Sequence, residues 1–298
     1  MAGKSGGFLG CARNKTEMLG ISGMRWYMAT ALECSSVVVD TMSWRAMVTY
    51  IKEEHEQITT YYRNTRHRLD GPAEETADGS KWWRVNGKLH RVDGPAIEYA
   101  SGSKSWFVQG KYHRVDGPAV EDAEYRKEWW VDDKRHRVDG PAVEDAKYGK
   151  EWWVDDKRHR VDGPAVEYTE GGKEWWVDGQ LHRADGPAVI YADDGKSWYV
   201  NGKLHRVYGP AREYPDGKKE WWVDGQRHRV DGPAVESARG SREWWVDDER
   251  HRVDGPAVEY TTGGKSWWLN GQLHRVDGPA VEYADGRREW WIAGVRQK

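Results

Sequence analysis

The dipeptide His-Arg recurs at His67, His90, His113, His136, His159, His182, His205, His228, His251 and His274, always 23 residues apart. A period that never slips over ten copies predicts a stacked-repeat array, in which each unit buries its apolar face only against its neighbours. The array covers residues 67–298, as ten units and a two-residue stub of an eleventh, while residues 1–66 carry no trace of the period. A residue present in every unit answers first to the stacking. Chemistry needs a group once.

Counted from its His, each unit reads roughly H-R-V-D-G-P-A-V-E-Y-x-D-G-x-K-E-W-W-V-D-G-K-L. Asp78-Gly79, Asp216-Gly217 and Asp285-Gly286 stand at positions 12 and 13. Asn86-Gly87, Asp178-Gly179, Asn201-Gly202, Asp224-Gly225 and Asn270-Gly271 stand at positions 20 and 21. Such pairs mark hairpins, because both central residues of a type I′ turn need positive φ. Asp-Gly-Pro at positions 4 to 6 interrupts the chain a third time, since Pro cannot continue a ladder. Three short strands remain, A-V-E-Y, K-E-W-W-V and an H-R-V segment with the two residues before it. No ordinary helix fits within a unit.

Two-residue turns would set the register. In the unit starting at His159, a turn at Glu170-Gly171 pairs Tyr168 with Lys173 and Val166 with Trp175. A turn at Asp178-Gly179 pairs Val177 with Gln180, and Trp175 with His182. One face then carries Val166, Tyr168, Lys173, Trp175, Val177, Gln180, His182 and Ala184. The other carries Ala165, Glu167, Glu174, Trp176, Leu181 and Arg183, with Glu167 opposite Glu174 as a like-charge pair that costs stability. This makes the two adjacent tryptophans different objects. Position 17 is Trp in all ten units and reads as core. Position 18 varies as Arg84, Phe107, Trp130, Trp153, Trp176, Tyr199, Trp222, Trp245, Trp268 and Trp291 and reads as an exposed aromatic stripe.

A parallel β-helix, the alternative architecture, would stack identical positions about 4.8 Å apart and pile Asp139 on Asp162. An antiparallel meander separates them by about 10–15 Å, so the expected fold is an elongated all-β array of hairpins. Residues 1–66 are expected to be partly helical. Trp44, Met47, Val48 and Ile51 have helical spacing within 43–61, and such a helix would cap the first unit. Gln297-Lys298, where the next His-Arg is due, reads as a charged blunt edge.

Composition bounds the function. Net charge is −3, which leaves no electrostatic footprint for nucleic acid or an anionic membrane. Cys11 and Cys34 both lie outside the array, in keeping with a reducing compartment. The longest aliphatic run is Val37-Val38-Val39, the N-terminus lacks an apolar signal core, and Ala2 rather than Gly follows Met1. The expectation is a soluble cytoplasmic protein, or a virion component if the source is viral.

W-x-x-G-x-x-H, followed by a short aromatic strand and D-G-x-K, resembles the MORN repeat, also about 23 residues long. Trp176 to His182 and Trp268 to His274 match that run, and Tyr283 to Gly286 matches the strand and turn after it. The similarity covers about three quarters of the chain. It departs from the family in Arg after every His, in D-G-P-A for a single Gly, and in a missing Y-x-G, so the chain resembles a divergent variant. The resemblance implies a chain of β-hairpins used for scaffolding, dimerisation or, in some members, lipid contact.

Each H-R-x-D offers one imidazole and one carboxylate, whereas zinc needs three or four ligands, so the His reads as structural, without metal or cofactor. Tyr208 replaces that Asp in the seventh unit while Gly209-Pro210-Ala211 stays unchanged. Arg-His-Arg triplets among aromatics suggest single-stranded nucleic acid, but Glu167 and Glu174 share the arginine face and neutralise it. Nothing assembles a nucleophile with a base or a phosphate loop, so no enzyme is expected. The position-18 aromatics are the candidate binding residues, for a protein partner or self-association. The alternatives are a carbohydrate, a lipid headgroup, or an enzyme held by an antitoxin or inhibitor.

Overall fold

A computed structural model describes residues 65–298 in full. Before them it describes the strands Met18–Leu19, Arg25–Trp26, Ser35–Val39, Val48–Glu54 and Gln57–Tyr62 by their backbone. The described residues are all-β, and every strand pairing among them is antiparallel, which selects the hairpin meander over the parallel β-helix. The chain divides into two compact units, Met1–Lys134 and Arg135–Lys298.

In the first unit Val48–Glu54 and Gln57–Tyr62 form a hairpin in which Glu54 faces Gln57. This overturns the helix expected within 43–61. The run Ile58-Thr59-Thr60-Tyr61-Tyr62 is wholly β-branched and aromatic, and such residues fit a pleated surface better than a helix. Trp44 and Met47 lie outside the described residues. The segment meets the array as a strand, with Ile58 opposite Glu75 and Thr59 opposite Glu74. The ladder then continues through Lys81–Trp82, Ile97–Glu98, Lys104–Ser105 and Val120–Glu121.

In the second unit each repeat gives two strands to the ladder, as in Val166–Tyr168 and Lys173–Glu174. Each also gives a two-stranded arm, as in Trp176–Val177 with Gln180–Leu181. The arm has the expected register, Val177 opposite Gln180, and its turn has positive φ at both central residues, Asp178 (51°) and Gly179 (79°). All ten arms share this type I′ geometry. In three of them Asp133, Asp156 or Asp248 takes the glycine position.

The ladder hairpin differs from expectation by one residue. Glu167 faces Lys173 and Val166 faces Glu174. The Gly171 N–H donates to Tyr168 O (3.0 Å), and φ is positive (101°) at Gly171, which identifies a type I turn followed by a bulge. The extra residue shifts every pairing beyond it. The expected Glu167–Glu174 repulsion is replaced by a Glu–Lys pair, and Trp175 moves to the Glu167 side of the sheet rather than the Val166 side.

Position 7 is alanine in all ten units and is buried in each. It sits where ladder and arm meet: the Trp175 N–H donates to Ala188 O (2.8 Å), and the His182 N–H donates back to Trp175 O (3.0 Å). The third strand is only the pair of residues before the His. Position 3, expected in that strand, lies in an exposed loop, and so does Ala184. Among the described residues no helix is long and apolar enough to cross a membrane.

Candidate interaction site

The chemistry-bearing residues of each unit fall into three linked sets. The first is an arginine cage. Arg229 lies with its guanidinium carbon 4.1 Å from the Trp221 ring centroid. Its Nε donates to Asp231 (3.0 Å), and one terminal nitrogen donates to Pro233 O (3.1 Å) and Glu236 (3.2 Å). A Cβ on Gly232 would stand 2.9 Å from the guanidinium carbon, so only glycine lets the arginine lie across the loop. The motif W…H-R-x-D-G-P-A-x-E thus encodes one object, a cation sandwiched between an indole and a Gly-Pro loop.

The same stacking joins Arg91 to Trp83, Arg114 to Trp106, Arg160 to Trp152, Arg183 to Trp175, Arg206 to Trp198, Arg252 to Trp244 and Arg275 to Trp267. In these units position 17 is therefore a half-buried platform rather than a core side chain, while Trp290, with no following unit, is exposed. Hydrogen bonds from Arg137, Arg183 and Arg229 hold the Asp139, Asp185 and Asp231 carboxyls below their ordinary pKa. In the seventh unit Tyr208 removes the carboxylate. Arg206 keeps Trp198 (3.8 Å), Pro210 and Glu213, while Gly209 turns to φ 109°.

The second set is the histidine row. The backbone N–H of Asp178 donates to His159 Nδ1 (3.1 Å), and the N–H 19 residues on does the same in every unit, from Asn86 to His67 through Ala293 to His274. Each imidazole accepts an amide at the bend of the adjacent arm. Asp178 Oδ1 also lies 3.0 Å from His159 Nδ1. Among the described residues no cluster of three or more His, Cys, Asp or Glu has metal-binding geometry.

The third set holds the position-18 residues, which are less exposed than their variation in the sequence implies. Phe107 is buried against Ala96 and Ile97, with its ring 4.1 Å from that of Tyr112. Trp130, Trp153, Trp176, Tyr199, Trp222, Trp245, Trp268 and Trp291 are half-buried. Position 18 faces position 23 across the arm: Trp153 pairs with Arg158, Trp176 with Leu181, Tyr199 with Leu204 and Trp222 with Arg227. Arginines fill the gaps between neighbouring rings. Arg158 lies 5.3 Å from both Trp153 and Trp176, and Arg250 lies 5.0 Å from Trp245 and 5.3 Å from Trp268.

The indole N–H groups are also paired. Trp130, Trp153, Trp176, Trp222, Trp245 and Trp291 donate to the Glu two residues earlier, and Trp268 donates to Ser266. Burial raises the pKa of one such carboxyl, that of Glu220, but Lys218 and Trp222 more than offset it and leave the value lowered. Tyr168 donates to Glu174 (3.1 Å), and burial together with that carboxylate pushes its hydroxyl up to about 12.

Within the second unit the arms thus bring the position-18 candidates into a row whose rings are partly covered by their own arginines. Sequence reasoning missed the position-3 side chains, which form the most exposed apolar set in the array. The signal is an apolar residue directly after the Arg in every unit, followed by Asp in all but the seventh. Comparison with protein-family models and with curated proteins finds no match for the chain.

Proposed function

We propose that the chain is a non-catalytic, MORN-like repeat scaffold that mediates protein–protein interaction. One observation carries this reading: the arginine, histidine, aspartate and tryptophan that could supply chemistry are engaged in the same kinds of contact in nearly every unit, and those contacts hold the array together. Such a surface offers repetition rather than a single reaction centre, and repetition suits a partner that contacts several units at once.

A second reading, a carbohydrate-binding module, draws on one cleft. Tyr260, Trp268, Leu273 and Tyr283 line it together with Lys265 and Arg287. Ring faces beside charged groups suit a sugar. The test is the affinity of the full chain for a purified partner, first captured from the native host, and for a glycan panel. A Trp153→Leu, Trp176→Leu, Trp222→Leu variant with an unchanged circular dichroism spectrum should lose protein affinity by about tenfold or more. Protein affinity retained while glycan affinity is lost would refute the scaffold and support the module.

A further inference from the structure

The position-3 valines have no role in their own fold. In the second unit Val138, Val161, Val230, Val253 and Val276 are 78–85% exposed, whereas the position-8 valines Val166 and Val258 are buried. A β-branched apolar residue at the tip of a solvated loop adds nothing to the core. Scattered exposed valines are ordinary, but a valine at six of the seven loops of the second unit, with Ala184 at the other, marks an interface.

Each of these valines precedes an aspartate whose side chain is equally exposed, such as Asp139, Asp162, Asp231 and Asp254. The arginine that pairs with it lies beneath and is only 21–23% exposed in these units, so the carboxylate faces solvent and the cation does not. The outward face of the row is therefore apolar and negative. Two ladder strands per repeat place successive Val-Asp pairs about 10 Å apart. Aspartates of one sign disfavour a second copy of the same row. A row set on a twisting sheet also turns, so an extended chain can follow it where a straight helix would diverge.

We infer that this row is a docking surface for an extended basic polypeptide segment, with cationic side chains about 10 Å apart reaching the aspartates and apolar side chains covering the valines. A polyproline-type strand supplies that repeat, because three residues advance about 9.3 Å. The inference rests on the scaffold reading and adds to it the surface and the chemistry of the partner. In the seventh unit Tyr208 interrupts the charge, so the row carries a gap there.

The test is fluorescence anisotropy of the full chain with a labelled Pro-Pro-Arg repeat peptide about 18 residues long, against a composition-matched scramble and a Pro-Pro-Glu repeat. The expected result is saturable binding of the arginine repeat at least about tenfold tighter than the scramble, weakened by salt. A Val161→Ser, Val230→Ser, Val253→Ser variant should lose about tenfold in affinity with its melting curve unchanged, and Tyr208→Asp should gain affinity. Equal binding of peptide and scramble, or an unchanged affinity in the valine variant, overturns the inference. So does self-association of the full chain that the valine variant abolishes. If the peptide fails while the tryptophan variant still loses its purified partner, the scaffold stands and this surface is excluded.

Discussion

Arg183 stacks 4.1 Å over the ring of Trp175, its neighbour across the arm eight residues earlier, while its Nε holds Asp185 two residues on. One side chain thereby locks the arm to the loop that starts the next unit. The Gly-Pro pair between Asp and Ala exists to admit it, since a Cβ on Gly186 would lie 3.0 Å from the guanidinium carbon.

Gly232→Ala should therefore act at a distance from its own backbone. The new methyl displaces Arg229 from Trp221, and the expected loss is about 1–3 kcal/mol from the weakened stack and hydrogen bonds. Urea denaturation checks the size. The same substitution at Gly217, where a Cβ meets nothing within 4 Å, costs only the strain of its positive φ, and its Arg–Trp stacks stay intact.

The arm turns carry a small, correctable strain. Asp156 and Asp248 sit at φ 64° where most sibling units use glycine, and Ala293 sits at φ 47° where eight of the others use Asn or Asp. Asp156→Gly and Ala293→Asn should each stabilise by about 0.5–1 kcal/mol, read as a rise in the thermal midpoint.

Acid should weaken the array. The folded-state values of Asp139, Asp185 and Asp231 lie below the ordinary 3.8, because the arginines hydrogen-bond the charged form. Their contribution is present above that value and is lost as pH falls through the lower folded values. The urea midpoint should fall between about pH 5 and pH 2, and less steeply in an Asp139→Asn, Asp185→Asn, Asp231→Asn variant.

Tyr168 should remain protonated where ordinary tyrosines ionise near 10, since its hydroxyl is pushed up to about 12. Alkaline absorbance titration of wild type and Tyr168→Phe should differ by one late-ionising group. A difference centred near 10 would contradict the Glu174 hydrogen bond.

Much of this was legible in the sequence, for identifiable reasons. Asn-Gly and Asp-Gly at positions 20 and 21 fixed the arms because type I′ turns need both residues at positive φ, and the structure has them so. The other Asp-Gly was read as the same turn, but only its glycine is left-handed there, and the bulge carried Trp175 to the opposite face. Variation at position 18 was read as exposure, yet position 23 varies with it: Phe107 meets Tyr112, Trp153 meets Arg158 and Tyr199 meets Leu204. The H-R-V stretch left between the turn signals reads as strand, although Val161 and its equivalents stand in solvent. Pattern alone does not separate a residue kept for packing from one kept for contact.

The arginine cage is the central claim, and the urea midpoints of Arg229→Ala and Arg229→Lys test it most directly. Both should fall, because lysine keeps the charge but loses the planar stack on Trp221 and the forked bonds to Asp231, Pro233 and Glu236. The expected loss is about 1–3 kcal/mol for alanine and more than half of that for lysine. A wild-type midpoint in the alanine variant would contradict the cage as the element that holds successive repeats together.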